Sequence, residues 1–384
     1  MTPVFKKIIN IIGMPPLNWG RSCFSCVIGL GKLVEFTQLR PQYQRNLRNS
    51  VPKVKVFFSI MIMIFAVAVQ ALQIPDGHRK IAELAIKEIL ECHFNNALQI
   101  TEQSYIADNK NPIGPVLHLV ALGMRDVDFD STIDAQAFVR SFQRANTVIE
   151  EYERENGVSS YSLTLKGFTL GIHASYHLKN SSYFSAAGTG NNALKLMKEA
   201  RELDPNNTDV NFFLGLYDYA KADIRKKTKV IFWFPGDKKS GIRQLEEGAS
   251  NAILTKIASQ LALSDIYLEQ KQPQKSRDII DKLKKELPNS RFVMWAEAKY
   301  YEDQKKHSEA ALAYGRLADS YGKYPHGTFN AIVTRNKQAH LHNRAGETEA
   351  AISACKQILE HGKDKRANSL MKDTEKLLNR ISKP

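Results

Sequence analysis

Three segments of the chain repeat one spacing of small and large residues. In NNALKLMKEARELDPNN, Ala193, Met197, Ala200 and Pro205 lie 4, 3 and 5 residues apart. PQKSRDIIDKLKKELPNS repeats those intervals with Ser276, Ile280, Leu283 and Pro288. HSEAALAYGRLADSYGK gives Ala310, Tyr314 and Leu317, 34 residues after the second set. Steps of 3 and 4 place these side chains on one face of a helix, and a proline, lacking an N–H, ends it. Small residues on that face let a second helix come close. A unit recurring at this period cannot bury its apolar face alone, so it must stack on its copies.

The helix before each segment carries a matching half. Leu214-Gly215 lies in NFFLGLYDY, Leu263-Ser264 with Tyr267 in LALSDIYLEQ, and Ala298 with Tyr301 in WAEAKYYED. Together these residues resemble the tetratricopeptide repeat, with Leu-Gly-x-x-Tyr in its first helix and Ala, aromatic, Ala, Pro in and after its second. The resemblance implies an all-α fold, an α-solenoid of antiparallel helix pairs with a C-terminal capping helix. It implies about six to seven repeats of the tetratricopeptide type. The match is strongest over 190–320 and extends to 77–125 and 327–361. It is thinnest over 130–180, where a helix expected at 133–154 departs from the pattern.

The N-terminal part is of another kind. The formal charge of the chain is +14, but residues 1–55 hold nine Lys and Arg against the single acid Glu35, which leaves +6 for the rest. That balance is ordinary surface charge, and it argues against nucleic acid as a partner. In KVKVFFSIMIMIFAVAVQA, residues 53–71, two lysines precede an apolar run, and Val69 and Ala71 stand at −3 and −1 of a cleavage site before Leu72. This is the layout of a secretory signal peptide, and the run is shorter than the roughly 20 residues that span a bilayer. The domains expected are a basic extension at 1–52, a signal peptide or membrane anchor at 53–71, and the repeat domain at 72–384. Two accounts of the extension stay open. It is either a start placed too far upstream or an organelle presequence.

Candidate chemistry is sparse. No GxSxG, P-loop or HExxH occurs, so no enzyme and no cofactor are expected. His173 and His177 are spaced as two ligands on one helix face, without a third nearby, so a metal is not expected. Asp126, Asp128 and Asp130 begin like a calcium loop, yet Ser131 and Ala137 stand where glycine and glutamate belong. A solvated turn between helices is expected there. Ala186–Asn192, AAGTGNN, is expected to be a flexible turn. Cys23 and Cys26 form a lone CxxC, while Cys92 and Cys355 sit in no motif and are expected to be buried, unpaired small residues.

What remains is a surface. Carrying over the concave groove that the family forms with its first helices gives a protein- or peptide-binding set. The set is Phe212, Leu216 and Tyr219, then Leu261, Asp265 and Leu268, then Trp295, Lys299 and Glu302. One repeat is overlong: Ala193 to Gly241 spans 48 residues. The excess falls at 226–239, where Ile231, Phe232, Trp233 and Phe234 lie between lysine clusters. The array is similar to bacterial exported tetratricopeptide proteins with an apolar insert ended by Gly-Asp. The insert either plugs the array's own face or makes a peripheral membrane contact through 229–235. A scaffold in the bacterial periplasm or envelope is the expected role, with a membrane-anchored organelle adaptor as the alternative.

Overall fold

The computed structural model describes residues 74–130, 134–228, 237–361 and 364–383. Among them α-helices alternate with short turns, and no strand occurs. The helices fall into seven antiparallel pairs. These are α1 (Asp76–Leu90) with α2 (Phe94–Ala107), α3 (Ile113–Phe129) with α4 (Ala135–Asn156), and α5 (Ser160–Lys179) with α6 (Tyr183–Leu203). Next come α7 (Asn211–Thr228) with α8 (Lys238–Asn251) and α9 (Lys256–Glu269) with α10 (Pro273–Glu286). The last are α11 (Arg291–Asp303) with α12 (His307–Gly322) and α13 (Thr328–Arg344) with α14 (Thr348–His361). A single helix, α15 (Asn368–Ile381), follows. Each helix packs on the next, and α1 also meets α3, α3 meets α5, α9 meets α11 and α13 meets α15. This is the all-α solenoid expected from the sequence.

The repeat is visible in the turns as much as in the helices. After α1, α5, α9, α11 and α13 one residue takes a left-handed conformation: Cys92, Ser181, Lys271, Lys305 and Gly346, all with φ between 56° and 79°. The following N–H then reaches back to close the helix. His93 donates to the Glu88 carbonyl, Ser182 to His177, Gln272 to Tyr267, Lys306 to Tyr301 and Glu347 to His342. This pattern satisfies carbonyls that a helix end leaves without partners. Only one of the five positions is glycine. At the other four the packed array holds an L side chain in a conformation that favours glycine.

Close helix contacts account for the small residues. A Cβ built on Gly215 would lie 2.8 Å from the Gly241 carbonyl, and one on Gly241 would lie 2.7 Å from the Gly215 carbonyl. α7 and α8 therefore touch backbone to backbone. Ala186, Gly190 and Ala193 form a buried stripe on α6. The expected flexible turn at 186–192 is thus the first half of a helix, because close packing against α5 outweighs the low helix propensity of glycine. The pairs over 135–203 are longer than the others but stack in the same way.

Short polar ties hold the connections. The buried Asp209 carboxylate accepts hydrogen bonds from the backbone N–H groups of Leu254 (2.7 Å), Thr255 (2.8 Å) and Ile253 (3.2 Å). It thereby fixes the approach to α9 from the start of α7. Asn207 donates to the Ser160 and Thr164 hydroxyls, both at 2.8 Å, and ties the same turn to α5. Asp237 caps α8 by accepting from the Lys239 N–H at 2.9 Å. The extension 1–52, the segment 53–71 with Cys23 and Cys26 before it, and the apolar insert residues Ile231, Phe232, Trp233 and Phe234 lie outside the described residues.

Replacing Gly241 with Ala forces the α7 and α8 backbones apart. Denaturant unfolding of Gly241→Ala should show a loss of about 1–3 kcal/mol. Gly77→Ala, where an added Cβ meets nothing within 4 Å, is the control and should not destabilise.

Candidate functional site

The surface expected to bind a partner lies on the first helices of the fourth, fifth and sixth pairs, α7, α9 and α11. Four of its nine residues are closed to a ligand. Leu216 and Tyr219 are buried in one apolar cluster with Leu245, Leu263 and Tyr267, and Phe212 packs against it. The Tyr219 hydroxyl donates to Glu269 (3.0 Å) and accepts from Gln270 (2.8 Å), and the Lys238 ammonium lies 4.6 Å from its ring centroid. Leu268 is 4% exposed, and Leu261 belongs to a cluster with Ile257, Ile280 and Leu90. Leu216, Tyr219, Leu261 and Leu268 therefore hold the array together. Their register points them at the groove, but the close approach of neighbouring helices covers them.

Asp265, Lys299 and Glu302 instead form charged rungs across the inner helices. Lys299 on α11 pairs with Asp265 on α9 at 2.8 Å. Glu302 pairs with Lys337 on α13 at 3.0 Å and accepts from the Tyr314 hydroxyl at 2.7 Å. His340 then reaches Asp373 on α15 at 2.6 Å. Trp295 is half-buried, edge-on to Tyr314, and its indole N–H donates to Tyr321 at 2.9 Å. Asp265, Lys299, Glu302 and Trp295 are thus ordered by packing and remain partly open to solvent.

The array also meets itself. His78 at the start of α1 lies 3.1 Å from the Tyr161 hydroxyl at the start of α5. Leu90, at the other end of α1, belongs to the cluster of Ile257, Leu261 and Val293. The Asn289 N–H, just before α11, donates to the Glu91 carboxylate at 3.0 Å. α1 therefore passes the beginnings of helices in both halves of the chain. Ile89, Cys92, Phe94 and Phe129 join one core with Tyr314, Leu317 and Tyr321.

At the centre of this seam lies Asp128, at the end of α3. Its carboxylate accepts from Arg291 Nε (2.8 Å) and Nη2 (2.5 Å) and from the Tyr321 hydroxyl (3.1 Å). Side-chain exposure is 1% for Asp128 and 2% for Arg291. Burial pushes the Asp128 carboxyl up, and the Arg291 guanidinium and Tyr321 hydroxyl pull it back. Burial works against the Arg291 charge, but the hydrogen bonds and charge of Asp128 outweigh it and raise its pKa. Cys92 beside them is pushed up to about 12, chiefly by burial, which leaves it an inert thiol. Asp126 pairs separately with Lys179 of α5 at 2.6 Å.

The sequence reading of 126–130 as a solvated turn is corrected here. α3 runs through Phe129, and Asp126 and Asp128 are buried. Sequence reasoning missed them because the partner that makes burial tolerable, Arg291, is far along the chain. Three acidic residues within one predicted helix end were the available signal. A cleft of about 360 Å³ opens on the seam, with Glu91 and His93 on one side and Arg316, Ser320, Lys323 and Tyr324 on the other.

His173 and His177 sit in an aromatic cluster. Their ring centroids are 4.3 Å apart, His173 is 4.0 Å from Phe142, and Tyr176 stacks on Phe138 at 4.2 Å. Burial, with the neighbouring His177, lowers the His173 pKa to about 4. Among the described residues no three His, Cys, Asp or Glu side chains are grouped to hold a metal. Cys92 and Cys355 are buried and free.

Comparison with solved structures finds distant likenesses. The C-terminal part of a TPR repeat-containing protein from Cytophaga hutchinsonii is similar at 16% identity and a TM-score of 0.39, over 76% of this chain and 99% of that one. A human IFIT1 dimer with PPP-AAAA is similar at 15% identity and a TM-score of 0.36, over 70% of this chain and 68% of that one. No protein-family model and no curated protein matches the chain. The repeat architecture stands on the chain's own helix pairs and their five equivalent turns.

Two outcomes follow. Asp128→Ala strands a buried guanidinium and should cost about 3–5 kcal/mol in denaturant unfolding, whereas Glu83→Ala, which breaks the exposed Arg79–Glu83 pair on α1, should cost less than about 1 kcal/mol. His173 stays neutral in the folded chain, so an unfolded chain takes up this proton first as pH falls. Stability from this group is complete above pH 6.5 and is lost as pH falls towards about 4. Discounted for partial exposure, the loss is about 1–2 kcal/mol. Unfolding measured from pH 7 to 4 should show it, and His173→Gln should flatten that part of the profile.

Proposed function

We propose that the chain is a non-enzymatic helical-repeat scaffold that binds a protein or peptide partner on its inner face. The observation that carries this reading is the row of ordered, partly open groups at Asp265, Trp295, Lys299 and Glu302. They stand on two consecutive inner helices, with Lys337 on the next. A half-buried Trp beside fixed charges is a low-entropy anchor for a peptide or a partner helix. Lys299 and Lys337 are each paired with a carboxylate, which suits a protein partner better than a phosphate backbone.

We further propose that the scaffold is exported to a bacterial periplasm or envelope. The support is the lysine-flanked apolar run and small-residue cleavage pattern of residues 53–71. The apolar insert at 229–235, between lysines, supports a peripheral membrane contact as part of the same proposal. The organelle reading, with 56–71 retained as an anchor, differs in one observable: the mature N-terminus. Sequencing that finds Leu72 first supports export with cleavage, and an intact apolar run supports the anchor.

The binding reading is tested by quantitative capture with the full chain and with Trp295→Ala, Lys299→Glu. Capture of the wild type's partners should fall at least tenfold, with unchanged circular dichroism. Equal capture by the two folded chains would sink the inner-face assignment.

A further inference from the structure

The contacts that close the array resemble those of a receptor with its ligand. Asp128-Phe129-Asp130, at the end of α3, is gripped by directional donors from the other half of the chain. Arg291 and Tyr321 take the Asp128 carboxylate. Asn330 Nδ2 donates to the Asp128 carbonyl at 2.7 Å, and Arg366 Nη1 to the Asp130 carbonyl at 2.5 Å. The Phe129 ring lies in a cage, 5.4 Å from Tyr324 and 6.2 Å from Tyr321, with the Arg291 guanidinium 4.9 Å from its centroid. Each donor meets a feature of a helix C-terminus: a side-chain carboxylate, carbonyls left free by the last turn, and the negative end of the dipole.

We propose that Arg291, Tyr321, Tyr324, Asn330 and Arg366 form a recognition site for an acidic–aromatic–acidic segment at the end of a helix. The chain's own Asp128-Phe129-Asp130 fills this site as an internal ligand, and a partner segment of the same chemistry competes for it. The inference rests on the protein-binding reading above and names one class of partner for it. Three observations support exchange. The seam cleft runs along Tyr324, which is 38% exposed and forms the open edge of the site, while Arg291 lies buried behind it. Lys179 holds Asp126 on α5, so the α3 end keeps a tie of its own when the site is vacated. The grip is mostly hydrogen bonds and ring contacts to three consecutive residues, which a short segment can reproduce.

An internal ligand acts at an effective concentration of about millimolar or more, so a free segment at micromolar concentration is excluded from the wild type. The test therefore opens the site first. The probe is a labelled peptide of residues 124–130, MRDVDFD, and the receptor is the full chain carrying Asp128→Asn and Phe129→Ala. Fluorescence anisotropy should show binding at least tenfold tighter than to the wild type. Binding should be lost when Arg291→Met is added or when the peptide's second Asp is changed to Ala. Binding by the folded double variant no tighter than by the wild type, or equal binding of both peptides, overturns the proposal. Should the double variant not fold, the isosteric Asp128→Asn chain is measured the same way and the same readings decide. Because the probe is a segment of this chain, failure here removes this site alone, and failure of the scaffold reading shows instead as equal capture in the inner-face comparison.

Discussion

Burying Asp128 against Arg291 is the constraint on which the shape of the array depends. Removing two charges from water costs several kcal/mol per ion, which is recovered only when the pair is well aligned and its remaining sites are satisfied. Here the carboxylate has two contacts from Arg291 and one from Tyr321, and Tyr321 is itself held by Trp295. Those groups are brought together across 163 residues. The distance between them is set by the sum of small rotations through every helix pair from α3 to α11. A solenoid normally communicates only between neighbours. This contact links repeats that are not neighbours, so an error in curvature anywhere between them is felt at the seam.

The division of labour between apolar and polar contacts follows from that geometry. Between helix faces, burial within and between adjacent pairs is mainly apolar: Ile280, Leu283, Tyr314 and Leu317 are almost wholly inaccessible, and polar ties such as Asp209 are confined to the connections. Such contacts are non-directional and tolerate the small adjustments of stacking. The seam instead joins the ends of helices, where carbonyls and N–H groups lack partners. Its apolar core, where Ile89, Phe94 and Phe129 join Tyr314 and Leu317, is therefore supplemented by polar groups that satisfy those ends. Asn289 on Glu91, Asn330 on the Asp128 carbonyl and Arg366 on the Asp130 carbonyl all make contacts of this kind.

How much of this was legible in the sequence varies with the range of the interaction responsible. The 4, 3, 5 spacing of Ala193, Met197, Ala200 and Pro205 is local, and it gave the helix pairs, their direction and the close contact at Gly215 and Gly241. The left-handed turns were hidden, because Cys92, Ser181, Lys271 and Lys305 are not residues that announce such a turn. The helix at 183–203 was obscured by Gly188 and Gly190, of which Gly190 lies in the buried small-residue stripe and Gly188 is exposed. In the candidate groove, register identified the inner helices but could not separate Tyr219, buried by α8 and α9, from Lys299, which stays 43% exposed at the side chain. That distinction depends on how far adjacent pairs overlap, which no single repeat encodes. Asp128 was least legible of all: in its local sequence it is one of three acids near a helix end, and its meaning lies in Arg291.

The same reasoning explains why α1 matters to any partner. Its two ends touch Tyr161 at the start of the third pair and the Leu261 cluster of the fifth. A segment in that position covers part of the inner surface that a stand-alone array would leave open. What stays partly accessible is the run of rungs from Asp265 to Asp373 on α9, α11, α13 and α15. The Tyr321 ring belongs to both regions, since it bonds Trp295 on the inner face and Asp128 at the seam. A ligand that shifts Trp295 must therefore either keep that hydrogen bond or disturb the side chain that supports the buried carboxylate. Binding on the inner face and closure of the array are coupled through one hydroxyl group, and the sign of the coupling is set by whether the ligand leaves the indole N–H pointing at Tyr321.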